Sequence, residues 1–167
     1  MAQARIVRPT ALLMGEGDAE EIFLKRIREL YTADRKGCNV RVQSAGGKGA
    51  GNVVDHAIRY QRANGAFDVA AAFFDTDTDW NDDVRARGEK AGIVLIAVEP
   101  CLECMLLRLV GLHKECSTAE HKKRFEKEFG GPAHNKKIVE RIVTREAVDK
   151  ARGNIVVIDT LLTTIGR

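Results

Sequence analysis

The sequence predicts an α/β fold: a central, mostly parallel four-stranded sheet flanked by helices, with a helical C-terminal third. Three observations carry this. Strand-like apolar runs alternate with segments of helical period, the pattern of parallel strands joined by helical crossovers. Two of the runs, "DVAAAFF" and "GIVLIAV", are almost unbrokenly apolar, as strands covered on both faces must be. After Pro100 only helical spacing remains. With 167 residues and 44% hydrophobic content, the chain can bury one proper core and is too short for two ordinary domains. One domain over residues 1–167 is expected, with a core at about 10–112 and a helical extension at about 113–167.

The elements follow in order. "TALLMG" is the first strand, and a helix runs from Asp18 to Leu30 with Ile22, Phe23, Ile27 and Leu30 in one stripe, the spacing of an amphipathic helix. Glu20 and Glu21 in its first turn and Lys25, Arg26 and Arg28 beyond them suit the helix dipole. "NVRVQS" alternates as a second strand does, the glycine-rich "AGGKGAGN" reads as a mobile loop, and "NVVDHAIRYQRAN" is the next helix. "DVAAAFF" and "GIVLIAV" are placed at the sheet's centre. In "NIVVIDTLLTTI" the residues Ile155, Ile158, Leu162 and Ile165 are spaced 3, 4 and 3 apart, which fits a helix despite the β-branched residues.

No apolar stretch approaches the roughly 20 residues of a membrane span, and "MAQARIVRPT" lacks the apolar middle of a secretory signal. A cytoplasmic protein with no membrane partner is expected, its four cysteines reduced. Net charge is +3 overall, but residues 113–152 hold 11 Lys/Arg against 7 Asp/Glu, a basic bias that favours a polyanionic partner.

The chemistry gathers where strands end. In open parallel sheets ligands bind outside the carboxyl ends of the strands, and two acidic segments fall there, "GEGDAE" and "DTDTD". The first has Glu20 where a dinucleotide fingerprint needs its third glycine, and Glu16 would repel a pyrophosphate. "AGGKGAGN" lacks Walker spacing, and "DTDTDW" has Trp80 in place of a calcium loop's glycine. Asp75 and Asp77, alternate residues leaving a buried strand, aim at one point that Glu16 can join. Such hard oxygens suit Mg2+ or Mn2+. Asp79 and Asp82 are assigned to capping the following helix or solvating a turn.

The order "LLMGEGDAEEIFL", then "AAFFDTDTD", then "EPCLECMLLRLVG" resembles the Toprim domain of topoisomerases, primases and OLD-family nucleases, and most of all the small RloB-like proteins. The likeness spans residues 10 to 112. It departs at Leu102, where an aromatic is usual, and at Met105, where a tryptophan is usual, and no histidine closes that helix. The resemblance implies a compact Toprim-like (Rossmann-like) domain in which Asp75 and Asp77 hold a divalent metal. Glu16 would help hold it or move protons during phosphodiester chemistry on DNA or RNA. Glu103 falls on the motif glutamate and, with the loop lysine Lys48, is assigned to substrate binding.

Two other function classes stand beside this nuclease. One is a non-catalytic nucleic-acid or partner-binding module. The other is a haloacid-dehalogenase-type phosphatase, with Asp75 as nucleophile and Asp77 as acid. It ranks lower because that motif should end the first strand. A homo-oligomer or a partner protein is compatible with either binding reading. Cys101, Cys104, His113 and Cys116 could be stretched into a zinc site, but buried free thiols fit better, since the first two lie among Leu102, Leu106 and Leu107. "HKKRF" and Lys136–Lys137 read equally as a phosphate contact or as a solvated helix face.

Overall fold

A computed structural model describes residues 7–65 and 67–167. The elements in order are β1 (Thr10–Gly15), α1 (Asp18–Thr32), β2 (Asn39–Ser44), α2 (Gly49–Ala63), β3 (Val69–Asp75), α3 (Asp82–Lys90), β4 (Val94–Val98), α4 (Leu102–Leu109), α5 (Thr118–Phe129), α6 (Lys136–Ile142), α7 (Arg145–Ala151) and α8 (Val156–Thr164). The four strands form one sheet in the order β2-β1-β3-β4, and every pairing is parallel.

The apolar strands split their side chains between two layers, because successive residues of a strand point to opposite faces. Ala11, Leu13, Ala71, Phe73, Ile96 and Val98 enter one core with α1, α4 and the C-terminal helices. Leu12, Met14, Ala70, Ala72 and Phe74 enter the other with α2 and Val84 of α3. The C-terminal third is integral to the first core, burying Phe125, Val139, Val148, Ile158, Leu161 and Ile165. Polar contacts fasten it: Arg26 Nε donates to Val143 O at 3.0 Å, and Cys38 N donates to Ile165 O at 2.8 Å.

Two expectations are corrected. β4 is an edge strand, and the centre is β1 with β3. Its apolar run has the same cause as that of a central strand, since α3 packs on one of its faces and α8 on the other. The glycine-rich segment is also no free loop. α2 begins at Gly49, inside it. Gly47 N donates to Glu16 O at 2.7 Å, and Asn52 Nδ2 donates to Ala45 O and Gly47 O.

Asp79, expected to cap the helix after it, turns back to the helix before it: Gly51 N donates to Asp79 Oδ2 at 3.2 Å. Asn81 caps α3 instead, accepting from Val84 N, and Asp82 is that helix's first residue. Glycine is required at 49, where φ is +81° and an added Cβ would stand 2.3 Å from Asp79 Oδ1. At Gly46, with φ +78°, a Cβ would meet nothing within 4 Å.

In urea denaturation, Gly46→Ala is expected to lose about 1 kcal/mol, the cost of a left-handed alanine. Gly49→Ala should lose roughly 2–4 kcal/mol, since Asp79 must also give way. Equal losses at the two positions would show that Asp79 does not depend on the bare glycine.

Candidate functional site

The connections dictate where a site can form. β1 leads through α1 to β2 on one side, and the chain then crosses through α2 to β3 on the other. The crevice between the carboxyl ends of β1 and β3 is thus the point where strand order reverses, the preferred ligand position in open α/β sheets. Gly15 pairs with Phe73 there, so Glu16 and Asp75, each just beyond or at a strand end, meet across the crevice.

The half-buried Glu16 ties three elements together. Its Oε1 accepts from Gly49 N at the start of α2 at 3.2 Å, and its Oε2 accepts from Asp75 N at 3.2 Å. A carboxylate thereby takes the anion position that a helix N-terminus offers. Asp75 is only 7% exposed, and its Oδ1 accepts from Leu102 N, the first residue of α4, at 2.9 Å. Glu20 in the first turn of α1 is buried as well, its Oε2 accepting from Gly17 N at 2.9 Å.

This clustering raises proton affinity. The Asp75 carboxyl is pushed up to about 8 by burial first, and then by the charges of Glu20, Glu103, Asp77 and Glu16. Burial also raises Glu20 above the usual carboxylate range, with Glu16 and Glu103 adding to the effect. The neighbouring Cys101 thiol is pushed up to about 12, by burial and by Glu103 and Asp75 among its neighbours. One cation answers the acids from the C-terminal third. Lys122 on α5 would be lowered by desolvation, but Glu103, Asp75 and Asp77 hold it above the usual lysine range.

The residues named from sequence are therefore brought to one rim with unequal parts. Glu16 and Asp75 are joined directly. Asp77 is exposed on the loop after β3, its Oδ1 accepting from Thr78 Oγ1. Glu103 is half-buried in the first turn of α4. Lys48 is exposed, in left-handed backbone at the N-cap of α2, between two residues whose amides bond to Glu16. Glu16, Asp75 and Asp77 do not close into a tight ligand trio. Among the described residues the group whose donor atoms all lie within 4.8 Å of one another is Cys104, His113 and His121.

The cysteines are free thiols as expected, Cys101 and Cys104 buried, but they do not share one environment. Cys101 belongs to the acidic rim, whereas Cys104 Sγ lies 3.6 Å from His113 Nδ1 and Cys116 Sγ lies 3.3 Å from His121 Nδ1. The two imidazoles stack with centroids 5.5 Å apart.

Sequence reasoning missed Glu20, Lys122 and His121. Glu20 was taken as a dipole residue, and only its burial reveals it. His121 and Lys122 lie in "HKKRF", which reads from sequence equally as a phosphate contact or a solvated helix face, with nothing that links Lys122 to the acidic rim or His121 to the cysteines. The signal for His121 was its distance of four intervening residues from Cys116, a spacing found among metal ligands.

No family model matches the chain, and no curated protein or solved structure matches it. Side-chain chemistry therefore carries the functional argument.

The protonation of Asp75 has a measurable consequence. Folded, the carboxyl keeps its proton to about pH 8; unfolded, it ionises near its ordinary value of 3.8. Between these values the folded state holds the extra proton, so stability falls as pH rises, by up to about 1.4 kcal/mol per pH unit. The loss is complete above the folded value and absent below the unfolded one. In chelator, the stability of the wild type minus that of Asp75→Asn should fall by about 2–4 kcal/mol between pH 5 and pH 8. Urea melts at each pH measure it, and a flat difference would mean that Asp75 is ionised throughout.

Proposed function

We propose that this chain performs divalent-metal-dependent phosphodiester chemistry on nucleic acid, as a Toprim-type nuclease. The observation that carries the reading is Asp75: a desolvated carboxyl at the strand-order reversal, pressed by four other carboxylates. Such a cluster is unfavourable by itself and becomes favourable around a divalent cation.

The donor set fits Mg2+ or Mn2+, which take one or two carboxylates and leave their remaining positions to water and phosphate. Asp75 and Asp77, with Glu16 beside them, are the residues that would hold it. When bound, such a cation neutralises phosphate charge and makes a water molecule more acidic. The absence of a tight three-carboxylate cage suits a loosely held, largely hydrated ion better than a closed structural site.

The chain's own groups supply the rest. Glu16 is oriented by the Gly49 and Asp75 amides and is the candidate to take a proton from attacking water or return one to the leaving oxygen. Lys48 at the start of α2 and Lys122 on α5 offer ammonium groups to a phosphate backbone, and the basic bias of residues 113–152 extends that attraction. Glu103 helps hold Lys122 protonated. A haloacid-dehalogenase-type mechanism fits less well, because Asp75 ends the third strand in the chain.

Single-turnover cleavage of single- and double-stranded DNA and RNA across a manganese titration tests the proposal. Glu16→Gln should slow cleavage by about 10²-fold or more with little change in affinity. Asp75→Asn with Asp77→Asn should abolish cleavage at every metal concentration. A wild type that binds one of these substrates yet cleaves none under any metal would replace the nuclease with a non-catalytic binding module.

Lys122 is tested separately by binding. Lys122→Ala should weaken nucleic-acid affinity about equally for all sequences and reduce the slope of log affinity against log salt by about 1. An unchanged slope would remove Lys122 from the phosphate path.

A further inference from the structure

Away from the acidic rim, four side chains of metal-binding type converge where α4 gives way to α5. Cys104 is on α4, His113 and Cys116 are in the connecting segment, and His121 is in the first turns of α5. The donor atoms of Cys104, His113 and His121 lie within 4.8 Å of one another. Cys116 stands outside that mutual limit, but its Sγ is 3.3 Å from His121 Nδ1. We propose that Cys104, His113, Cys116 and His121 bind a structural zinc ion that staples the α4–α5 connection.

Three features support the site. The first is the spacing of donors. Tetrahedral zinc with sulfur at about 2.3 Å and nitrogen at about 2.05 Å puts neighbouring S and N about 3.6 Å apart. Cys104 Sγ and His113 Nδ1 are separated by 3.6 Å, and the Cys116–His121 pair by a few tenths less. The half-buried Cys116 is the fourth ligand of the proposed set.

The second is orientation. Glu115 Oε1 lies 2.8 Å from His113 Nε2. A carboxylate there accepts a hydrogen bond from Nε2–H, which fixes that tautomer and leaves the Nδ1 lone pair facing Cys104, the arrangement that commonly orients a zinc-bound imidazole.

The third is charge. His121 is 1% exposed, and an imidazole binds metal in its neutral form. Cys104 is a buried free cysteine. On binding, Cys104 and Cys116 each release a proton to solvent and become thiolates. Two thiolates and two neutral imidazoles around Zn2+ carry no net charge, so the site can be buried at small electrostatic cost. A bound ion would fasten a segment that has little regular structure: the connection from Val110 to Ser117 has no helix or strand, and in the first two turns of α5 His121 is the buried residue.

Metal analysis and cobalt substitution of the full-length chain test this. Purified protein equilibrated with a weak competing chelator should retain about one zinc per chain. Its cobalt form should show the visible bands of a tetrahedral centre and near-ultraviolet thiolate charge transfer, reduced by about half in either Cys104→Ser or Cys116→Ser. Cys116→Ser alters the more exposed cysteine, so it keeps the test valid should Cys104→Ser fail to fold. Asp75→Asn with Asp77→Asn should leave zinc content unchanged, which separates this centre from any metal at the acidic rim. A wild type retaining less than about a tenth of an equivalent overturns the proposal. So do a six-coordinate cobalt spectrum and a charge-transfer band that Cys116→Ser leaves intact.

Discussion

A parallel sheet whose central strands are almost wholly apolar must be roofed on both faces, and the remaining architecture follows from how this chain meets that demand. β1 and β3 expose neither face, so each crossover has to deliver a helix to one side or the other. α2 and α3 cover one face. α1 and α4 leave the other incomplete, and it is finished by α5 to α8, whose Phe125, Val139, Ile158 and Leu161 are buried in the same core. Without them Phe73, Ile96 and Leu106 would lose part of their cover, at about 25 cal/mol for each Å² of apolar surface returned to water. The C-terminal third is therefore bound to the sheet by hydrophobic necessity, and any functional group it carries is held rigidly against the site.

The same arrangement explains why charge accumulates at one edge. Crossing from one side of β1 to the other opens a crevice at the carboxyl ends, and the backbone amides of Gly49, Asp75 and Leu102 point into it. Buried amides need acceptors, and Glu16 and Asp75 provide them. Part of the acidic cluster is thus structural. Glu20 also serves an amide, that of Gly17, whereas Asp77 and Glu103 add only repulsion to Asp75. Residues that strain the apo fold in this way are concentrated at functional sites.

The Cys/His cluster and the acidic rim share α5. His121 faces the cysteines and the adjacent Lys122 feels the carboxylates, so one helical turn serves both. α5 is also fixed at its ends by ordinary means, with Ser117 and Glu120 forming a reciprocal cap and Gly130 closing in left-handed backbone. These caps set where the helix begins and stops. They do not set its rotation, which the Phe125 and His121 contacts determine by burying one face.

Hydrophobic period by itself determined the α/β class, the bounds of the first two strands and the helical character of the C-terminal third, because burial on a helix stripe or on both faces of a strand is written locally. The pairing of Glu16 with the DxD segment was also legible, since both follow apolar strands and such ends meet along one edge. Tertiary structure alone decided strand order, and so made β4 an edge strand, because a strand roofed on both faces is equally apolar at the centre or the margin. It turned Asp79 back to α2 rather than forward, where Gly51 N donates to it. It separated Cys101, beside Glu103 and Asp75, from Cys104, three residues on, and gathered His121 with Cys104 from the next helix. These last assignments depend on the rotation of helices about their axes and on the path of a connection, which are fixed by distant packing and have no counterpart in local sequence.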